Sequence, residues 1–293
     1  MTVPSGPALR SLRRAVLSVG RHGLRPLPWR ATRDAWAVLV SEVMLQQTQA
    51  PRVAPVYERF MARFPTPAAC ARAGPGAVLQ AWAGLGYNRR ARHLHEAARR
   101  IVEHHGGTVP ADLDALQELP GVGSYTARAV LVFAFERPEA VVDVNTRRVL
   151  CRAVAGRSLP ASDAQRLADA LVPPGQAWHW NQALMELGAV FCTAGAPSCA
   201  PCPLRRSCAW RAAPGTADPA RRGPTQSRFQ GSDREGRGRL VAALRAGPVP
   251  PSRLAVACGW PHDPARARRV AEGLLAEGLA QRGRGAVLTL PTR

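Results

Sequence analysis

Four closely spaced cysteines restrict the possible folds of this chain more than any other feature of its sequence. They form a C-x6-C-x2-C-x5-C array that consists of Cys192, Cys199, Cys202 and Cys208. Thiolates brought together in one short loop repel one another unless a metal ion or a cluster neutralises them, and soft thiolate ligands suit zinc or an iron-sulfur cluster. Zinc ribbons usually carry two C-x2-C pairs, whereas this array has one. The spacing therefore favours a cluster over zinc.

The chain before the array shows almost no strand-like alternation of polar and apolar residues. Apolar residues recur at helical spacing instead, as in Trp36, Leu39, Val40 and Val43. This spacing predicts helices over 8–24, 36–49, 53–63, 75–82, 88–104, 112–118, 124–135, 145–154, 162–171 and 178–190. We therefore expect an all-α core, in which Cys70, Cys151 and Cys258 act as small buried hydrophobic residues.

The composition changes after the cysteine array. Residues 211–238 are rich in Pro, Gly, Ser, Asp and Arg and lose their periodicity, which predicts a flexible linker. Residues 239–293 form a second, small unit with predicted helices at 238–246, 251–258 and 264–278, followed by a hairpin in the segment QRGRGAVLTL. This order of elements is typical of a winged-helix-like module.

The charge balance favours a polyanionic partner. The chain has 40 basic and 20 acidic residues, which give a net charge of +20, and every basic residue is an arginine. A GC-rich genome explains part of the arginine excess, but it does not require so few acidic residues, so nucleic acid is the first candidate partner. We find no apolar run long enough for a membrane span or a signal peptide, which predicts a cytoplasmic, nucleoid-associated protein with reduced cysteines.

The segment LPGVGSYTA, at residues 119–127, predicts a phosphate-binding turn. Gly121 and Gly123 leave backbone amides unobstructed just before a helix, whose start adds partial positive charge. An ordinary turn between helices would also explain the glycines taken alone. The predicted helices on both sides make the segment a helix-hairpin-helix, which favours contact with DNA phosphates.

Two acidic residues are candidates for catalysis. Glu42 lies in a predicted helix that is otherwise almost free of charge, and burial there would favour the protonated carboxyl group of a general acid. The alternative is a glutamate that reaches solvent or pairs with an arginine. Asp143 precedes the segment VNTRRVL, and taken alone it is more typical of a helix N-cap than of a catalytic group.

Several segments, taken in order, resemble one family of DNA repair enzymes. They are SEVMLQQTQ, GLGY, LPGVGSYTA, VDVNTRRVL, NQALMELGAVFC and the cysteine array, spread over about residues 25–210. Together they resemble the MutY-type adenine DNA glycosylases of the helix-hairpin-helix superfamily, to which endonuclease III also belongs. The resemblance implies a monomer with a 4Fe-4S cluster on the four cysteines. It also implies a two-lobed core over 1–210, with a six-helix lobe at about 31–135 and a cluster lobe at about 8–30 plus 136–210.

The resemblance gives each candidate acid a role. Asp143 is implied to be the catalytic aspartate of the superfamily, which stays ionised and stabilises the oxocarbenium ion of the sugar, either electrostatically or through a transient covalent bond. Glu42 is implied to protonate the leaving adenine at N7. Tyr125 and Asn145 are implied to orient the reacting groups through hydrogen bonds.

The same resemblance implies which residues handle the DNA. Gln47 and Tyr87 stand where the family inserts side chains into the base stack once the target base has been extruded, and Gln46 is a further implied DNA-binding residue. A buried tyrosine after a glycine-rich turn is the alternative interpretation of Tyr87. The implied adenine pocket consists of Trp29, Arg30 and Gln182. The expected substrate is double-stranded DNA with adenine mispaired with 8-oxoguanine or guanine.

The chain departs from the family pattern in several places, among them Val144 and Thr146, which replace the usual glycine and valine around Asn145. Tyr125 stands where endonuclease III relatives have the lysine that forms a Schiff base, and the chain contains no lysine, so we expect no lysine-dependent lyase activity. Residues 239–293 are too short for the domain with which MutY proteins recognise oxidised guanine. Either the small module takes over part of that recognition, or the protein discriminates only weakly between oxidised guanine and guanine. Asn88 stands where the family often has a second tyrosine.

Two other functions fit the same segments. A mismatch thymine or uracil glycosylase of the same superfamily can also carry tyrosine in the hairpin, although the QQTQ segment and Gln182 favour adenine. A noncatalytic DNA-binding regulator would use the cluster as a redox sensor and the C-terminal module for recognition.

Overall fold

The computed structural model describes residues 4–21, 23–220 and 227–292. The helices within these ranges are α1 (Gly6–Arg21), α2 (Ala35–Leu45), α3 (Ala50–Arg63), α4 (Pro67–Ala81), α5 (Arg89–His104), α6 (Leu113–Gln117), α7 (Ser124–Phe135), α8 (Val144–Val149), α9 (Ala161–Leu171), α10 (Ala177–Val190), α11 (Ala209–Ala212), α12 (Asp233–Ala246), α13 (Leu254–Ala257) and α14 (Pro264–Ala276). A π-helical segment, Leu150–Ala155, follows α8, and two short strands follow α14: β1 (Gln281–Arg282) and β2 (Leu288–Thr289). The prediction of an all-α protein is confirmed.

One predicted helix is longer in the structure than its sequence pattern indicated. The pattern predicted a helix over 75–82, but α4 begins at Pro67, where the Thr66 hydroxyl caps the first turn by accepting from the Ala69 amide at 3.1 Å. Gly74 interrupts the helix with φ +76°, and Pro75 begins its second part. The kink breaks the helical spacing of apolar residues, which is why the first part was missed.

The chain divides into two compact units. The first unit comprises Met1–Ala35 and Gly123–Pro224, and the second comprises Trp36–Val122 and Thr225–Arg293. The lobes and the separate C-terminal module inferred from the sequence have other bounds, and that division stays a prediction. Within the described residues, no helix is both long and apolar enough to cross a membrane.

Helix α10 is central to the first unit. It packs against α1, α7 and α8, and its buried side chains include Trp180, Leu184 and Leu187. Gly188 permits the close approach of α8, because a Cβ at this position would lie 2.9 Å from the Cβ of Asn145. Helix α10 therefore supports the start of α8. The cysteine loop at residues 192–208 begins four residues after Gly188.

The second unit is built around α2, α4 and α5. Helix α2 is buried from Trp36 to Met44, as expected for a helix that is apolar on all sides. Helix α4 packs against α3 and α5, and the rings of Phe60 and Trp82 meet edge to face with centroids 6.2 Å apart. This packing fixes the start of the loop that follows α4, where Trp82 lies.

The C-terminal residues of the second unit contain the predicted helices and the predicted hairpin. Helices α12, α13 and α14 pack against one another, β1 pairs antiparallel with β2, and Val249 bridges to Leu288. Helix α12 begins at Asp233, within the stretch predicted as linker. Negative charge in its first turn favours this start, and the Glu235 carboxylate also accepts from the Gly231 amide at 2.6 Å. The identification as a winged helix stays a prediction.

Candidate active site and cysteine loop

Asp143 is held rigidly at the start of α8. It is the N-cap residue, and its Oδ1 accepts from the Thr146 amide at 2.6 Å. Its Oδ2 accepts from the Asn145 side-chain amide at 2.7 Å. Both carboxyl oxygens thus act as hydrogen-bond acceptors. The N-cap role expected from the sequence pattern is present, and it holds the carboxyl group in a fixed place at the start of α8.

Asn145 connects this carboxylate to the cysteine loop through one arginine. Its Oδ1 accepts from Arg148 Nη2 at 2.7 Å, and the same nitrogen donates to the Gly188 carbonyl at 2.7 Å. Arg148 Nε donates to the Cys192 carbonyl at 2.5 Å. Arg148 therefore contacts both the backbone of the first cysteine of the loop and the side chain that donates to Asp143.

The four cysteines of the array line one small cavity in the first unit. Arg152, on the π-helical segment, holds the wall of this cavity. Its Nη1 donates to the Thr193 carbonyl at 2.7 Å and lies 3.5 Å from Cys192 Sγ. Asp218 pairs with Arg152 at 2.5 Å, and this interaction lowers the pKa of Asp218. The array predicted from the sequence is thus assembled around a common space and has a buried cation beside it.

The cysteines outside the array behave as predicted. Cys70, Cys151 and Cys258 are buried. Burial raises the pKa of the Cys70 thiol to about 12 and that of Cys258 to about 11, so both thiols stay protonated at neutral pH. They contribute apolar packing rather than reactive sulfur.

Two of the predicted pocket residues meet in a buried polar cluster of the first unit. Arg30 Nε donates to Gln182 Oε1 at 2.8 Å, and Arg30 Nη2 donates to Glu186 Oε2 at 2.8 Å. Arg25 donates to the other oxygen of Glu186 at 2.6 Å. Trp29, the third predicted residue, is also buried.

Glu186 is a member of this cluster that sequence reasoning missed. Burial raises the pKa of its carboxyl group, but hydrogen bonds and charges from Arg25 and Arg30 outweigh burial and lower the pKa overall. Glu186 follows Gln182 by four residues on α10, so the two side chains lie on one face of the helix. That spacing in NQALMELG was the signal that could have identified it.

Glu42 lies in the second unit, on α2, and only 5% of it is exposed. All of its neighbours on the helix, from Trp36 to Met44, are buried as well. The burial expected from the charge-free sequence is thus confirmed. The Glu42 carboxyl group is therefore largely withdrawn from water.

Two predicted stack-filling residues of the second unit have strained backbones. Gln47 has φ +56° and Tyr87 has φ +46°, in the left-handed region that few residues other than glycine adopt. Tyr87 is 44% exposed despite its large ring. Strain of this kind persists only where the surroundings enforce it, and it is concentrated at functional positions.

Arg90 enforces the conformation of both strained segments. Its guanidinium is buried and donates to the carbonyls of Val43 and Met44 at the end of α2, at 3.0 and 2.8 Å, and also to that of Gln46. It donates as well to the Thr48 hydroxyl at 3.0 Å and to the Gly86 carbonyl at 3.3 Å. Burial lowers the pKa of Arg90 to about 10, which leaves it charged at neutral pH.

The predicted helix-hairpin-helix lies at residues 113–135, where the chain passes from the second unit to the first. Gly121 has φ +79°, and a Cβ there would lie 2.8 Å from the His93 Cβ, so both conformation and space require glycine. Gln46 donates to the Gly121 carbonyl at 3.2 Å. Gly123 is the N-cap of α7, whose first turn carries Tyr125 at intermediate exposure. The amide-rich turn required for a phosphate is present.

Comparison with known proteins places these features in one family. The family model described as HhH-GPD superfamily base excision DNA repair protein matches residues 40–174. The adenine DNA glycosylase of Mycolicibacterium smegmatis is 45% identical over 270 residues, which cover 91% of this chain and 91% of that protein. The adenine DNA glycosylase of Mycobacterium tuberculosis is 47% identical over 268 residues, 88% of this chain and 86% of that protein. A solved thermostable thymine-DNA glycosylase is 30% identical with a TM-score of 0.67, and the match covers 70% of this chain and 97% of that one.

Proposed function

This chain belongs to the HhH-GPD superfamily of base excision DNA repair proteins, and we propose that it is a monofunctional adenine DNA glycosylase. Its substrate is double-stranded DNA in which adenine is mispaired with 8-oxoguanine or guanine. The observation that carries the proposal is the Asp143 carboxylate, held by hydrogen bonds to both oxygens at the start of α8. The choice of adenine rests on the adenine glycosylases that are 45% and 47% identical to this chain.

The reaction starts with extrusion of the target adenine from the duplex, which costs a few kcal/mol. Gln47 and Tyr87 occupy the gap in the stack, and a stacked aromatic ring returns about 1–3 kcal/mol. Arginines and the turn at Gly121 and Gly123 hold the phosphates of the flanking backbone. The buried cluster of Arg30, Gln182 and Glu186, with Trp29 beside it, receives the adenine edge.

The two acids then divide the chemistry. Glu42 donates its proton to adenine N7, so that the C1′–N9 bond breaks with neutral adenine as the leaving group. Asp143 stays ionised and stabilises the positive charge on the deoxyribose, while Asn145 fixes its orientation and Tyr125 supplies a further hydrogen bond. Water adds to C1′ and a proton returns to Glu42. Loss of either carboxylate costs on the order of 10²- to 10⁴-fold in rate.

We further propose that Cys192, Cys199, Cys202 and Cys208 hold a 4Fe-4S cluster. The four cysteines line one small cavity. Their spacing contains one C-x2-C pair and not the two of a zinc ribbon, and this donor set supports a cluster over zinc. Cys192, two residues after the end of α10, would share the cluster with the three later cysteines of the loop.

The chain has no lysine, so the sugar released from adenine meets no lysine amine that could form a Schiff base. A monomer suffices for the reaction, because all the proposed groups come from one chain. The second candidate function is excision of mismatched thymine, which the likeness to the solved thymine-DNA glycosylase favours.

Single-turnover cleavage assays on four duplexes separate these functions. The duplexes carry adenine opposite 8-oxoguanine, adenine opposite guanine, thymine opposite guanine, and uracil opposite guanine. We expect excision from the two adenine duplexes. Excision only of thymine or uracil would establish the second function, and binding without excision of any base would identify a noncatalytic DNA-binding protein.

A further inference from the structure

The chain that follows the last cysteine of the array returns to the cysteine cavity. Residues 209–220 belong to the first unit, and the helix at their start, α11, packs against the π-helical segment Leu150–Ala155. Trp210 and Arg211 line the cavity together with the four cysteines. We call residues 209–220 the closing segment.

Arg152 contacts both ends of the cysteine array. At the first end, its Nη1 donates to the Thr193 carbonyl at 2.7 Å and lies 3.5 Å from Cys192 Sγ. At the other end, its backbone carbonyl lies 3.6 Å from Cys208 Sγ. Arg152 is 1% exposed, so its charge needs a partner within the protein.

Asp218 of the closing segment is such a partner. Arg152 donates to both of its carboxylate oxygens, from Nε to Oδ1 at 2.9 Å and from Nη2 to Oδ2 at 2.5 Å. A bidentate pair of this kind fixes the relative orientation of the two groups as well as their distance. Asp218 Oδ1 also accepts from the Ala220 amide at 2.9 Å, which fixes the carboxylate relative to its own backbone. Asp218 lies in the stretch 211–238, for which composition alone indicated a linker.

Trp210 provides a second contact between the closing segment and Arg152. The Arg152 guanidinium lies 5.0 Å from the centroid of the Trp210 ring, within the range of a cation–π contact. The Trp210 Nε1 donates to the Thr216 carbonyl at 3.3 Å and so connects the start of the segment to its later part. One buried arginine thus contacts an aromatic ring near the start of the segment and a carboxylate near its end. Both contacts are lost if the segment moves away from the cavity.

We propose that Asp218 holds the closing segment against the cysteine cavity and thereby slows the loss of the cluster from its four cysteines. Asp218 is a positioning residue, because it acts through Arg152. This inference rests on the proposed 4Fe-4S cluster. Chelators and dissolved oxidants gain access to the cavity when the segment opens locally, and a contact that disfavours opening lowers this access.

The test measures the loss of iron from the full-length protein purified with its cluster. Wild type, Asp218→Asn and Asp218→Glu are incubated in air with bathophenanthroline disulfonate, which binds released ferrous iron, while the visible absorbance of the cluster is followed. Asp218→Asn should lose its cluster about tenfold faster than wild type, as expected when charge-assisted hydrogen bonds become neutral ones. Asp218→Glu keeps the charge and should lose its cluster at a rate closer to that of wild type. Trp210→Ala removes the second contact and should also speed the loss.

Asp163→Asn is the matched control, because Asp163 pairs with Arg166 at 2.6 Å in the same unit but does not line the cysteine cavity. It should lose its cluster at the wild-type rate. Circular dichroism of the fresh preparations should show wild-type helix content in every variant, which separates cluster loss from a folding defect.

The inference is overturned if Asp218→Asn keeps its cluster as long as wild type or longer, or if Asp163→Asn loses its cluster as fast as Asp218→Asn does. Failure of the proposed cluster gives a different result. Wild type would then contain no iron and show no visible absorbance, whatever the substitutions at Asp218 do.

Discussion

Replacing Gly188 with alanine should disturb the support of the catalytic aspartate. The added Cβ would lie 2.9 Å from the Asn145 Cβ and 3.0 Å from both the carbonyl carbon and the carbonyl oxygen of Asn145. Two of these three atoms belong to the backbone, so the strain is relieved only if the first turn of α8 moves away from α10. Overpacking of this kind costs about 1–3 kcal/mol of unfolding free energy.

The same movement should lower the rate of excision. Asn145 donates to Asp143 at 2.7 Å, and a shift of its backbone displaces the carboxylate or removes this hydrogen bond. A misplacement of about 1 Å costs on the order of 10²-fold in rate. We therefore expect Gly188→Ala to reduce single-turnover adenine excision by about 10- to 100-fold, at a temperature at which the variant is folded.

Two measurements are made on the same preparations. Urea unfolding is monitored by circular dichroism, and adenine excision is measured under single-turnover conditions. Gly20→Ala is the matched control, because Gly20 lies in α1, which also packs against α10, but its nearest neighbour is the Ala183 Cβ at 4.0 Å. Alanine is favoured over glycine in a helix by roughly 0.5–1 kcal/mol, so this variant should be as stable as wild type or more so, and fully active. If Gly188→Ala matched Gly20→Ala in both measurements, the account of α8 positioning would be refuted.

Three further predictions concern other parts of the molecule. Arg90→Leu should lower the free energy of unfolding, measured in urea, by about 3 kcal/mol or more, because several buried carbonyls lose their donor at about 1–3 kcal/mol each. Arg90→Lys should not restore the stability. Wild-type stability of Arg90→Leu would contradict this role of Arg90. Borohydride added during adenine excision should trap no covalent protein–DNA adduct, since the chain has no lysine, and an abundant adduct would disprove the monofunctional reaction. Because the pKa of Glu186 is lower in the folded protein than in the unfolded chain, its ionised carboxylate stabilises the fold at pH values above the pKa of an unfolded glutamate. This stabilisation is lost as the pH falls through the pKa of Glu186 in the folded state. Glu186→Gln should therefore show a shallower loss of stability between pH 5 and 3 (about the titration range of a carboxyl group) than wild type, whereas an identical slope would contradict the assignment.

The features that the sequence predicted correctly depend on local patterns. The cysteine array, the glycines of the hairpin and the charge-free helix around Glu42 are contiguous or nearly so, and the burial of that helix follows from its apolar composition. The N-cap position of Asp143 also follows from its immediate neighbours. Helix α10 was predicted for the same reason, since its apolar residues recur at helical spacing.

The features that the sequence did not predict depend on contacts between distant segments. Arg90 is one of many arginines in the chain, and only the fold reveals that it caps α2 and holds the strained backbone at Gln47. The sequence does not explain why asparagine stands at position 88 in place of the tyrosine common in the family. In the structure, Arg245, 157 residues further along the chain, donates to the Asn88 side chain. The kink at Gly74 likewise required a left-handed backbone that a helical pattern does not indicate.

The central claim is that Glu42 and Asp143 share one reaction, and one pair of substitutions tests it most directly. Single-turnover excision and duplex affinity are measured on an adenine–guanine mispair for Glu42→Gln, Asp143→Asn and the control Glu58→Gln, whose side chain is exposed on α3. The account predicts that all three variants bind the duplex as wild type does, while excision falls by on the order of 10²-fold or more in the first two alone. Excision at the wild-type rate in either Glu42→Gln or Asp143→Asn would contradict it.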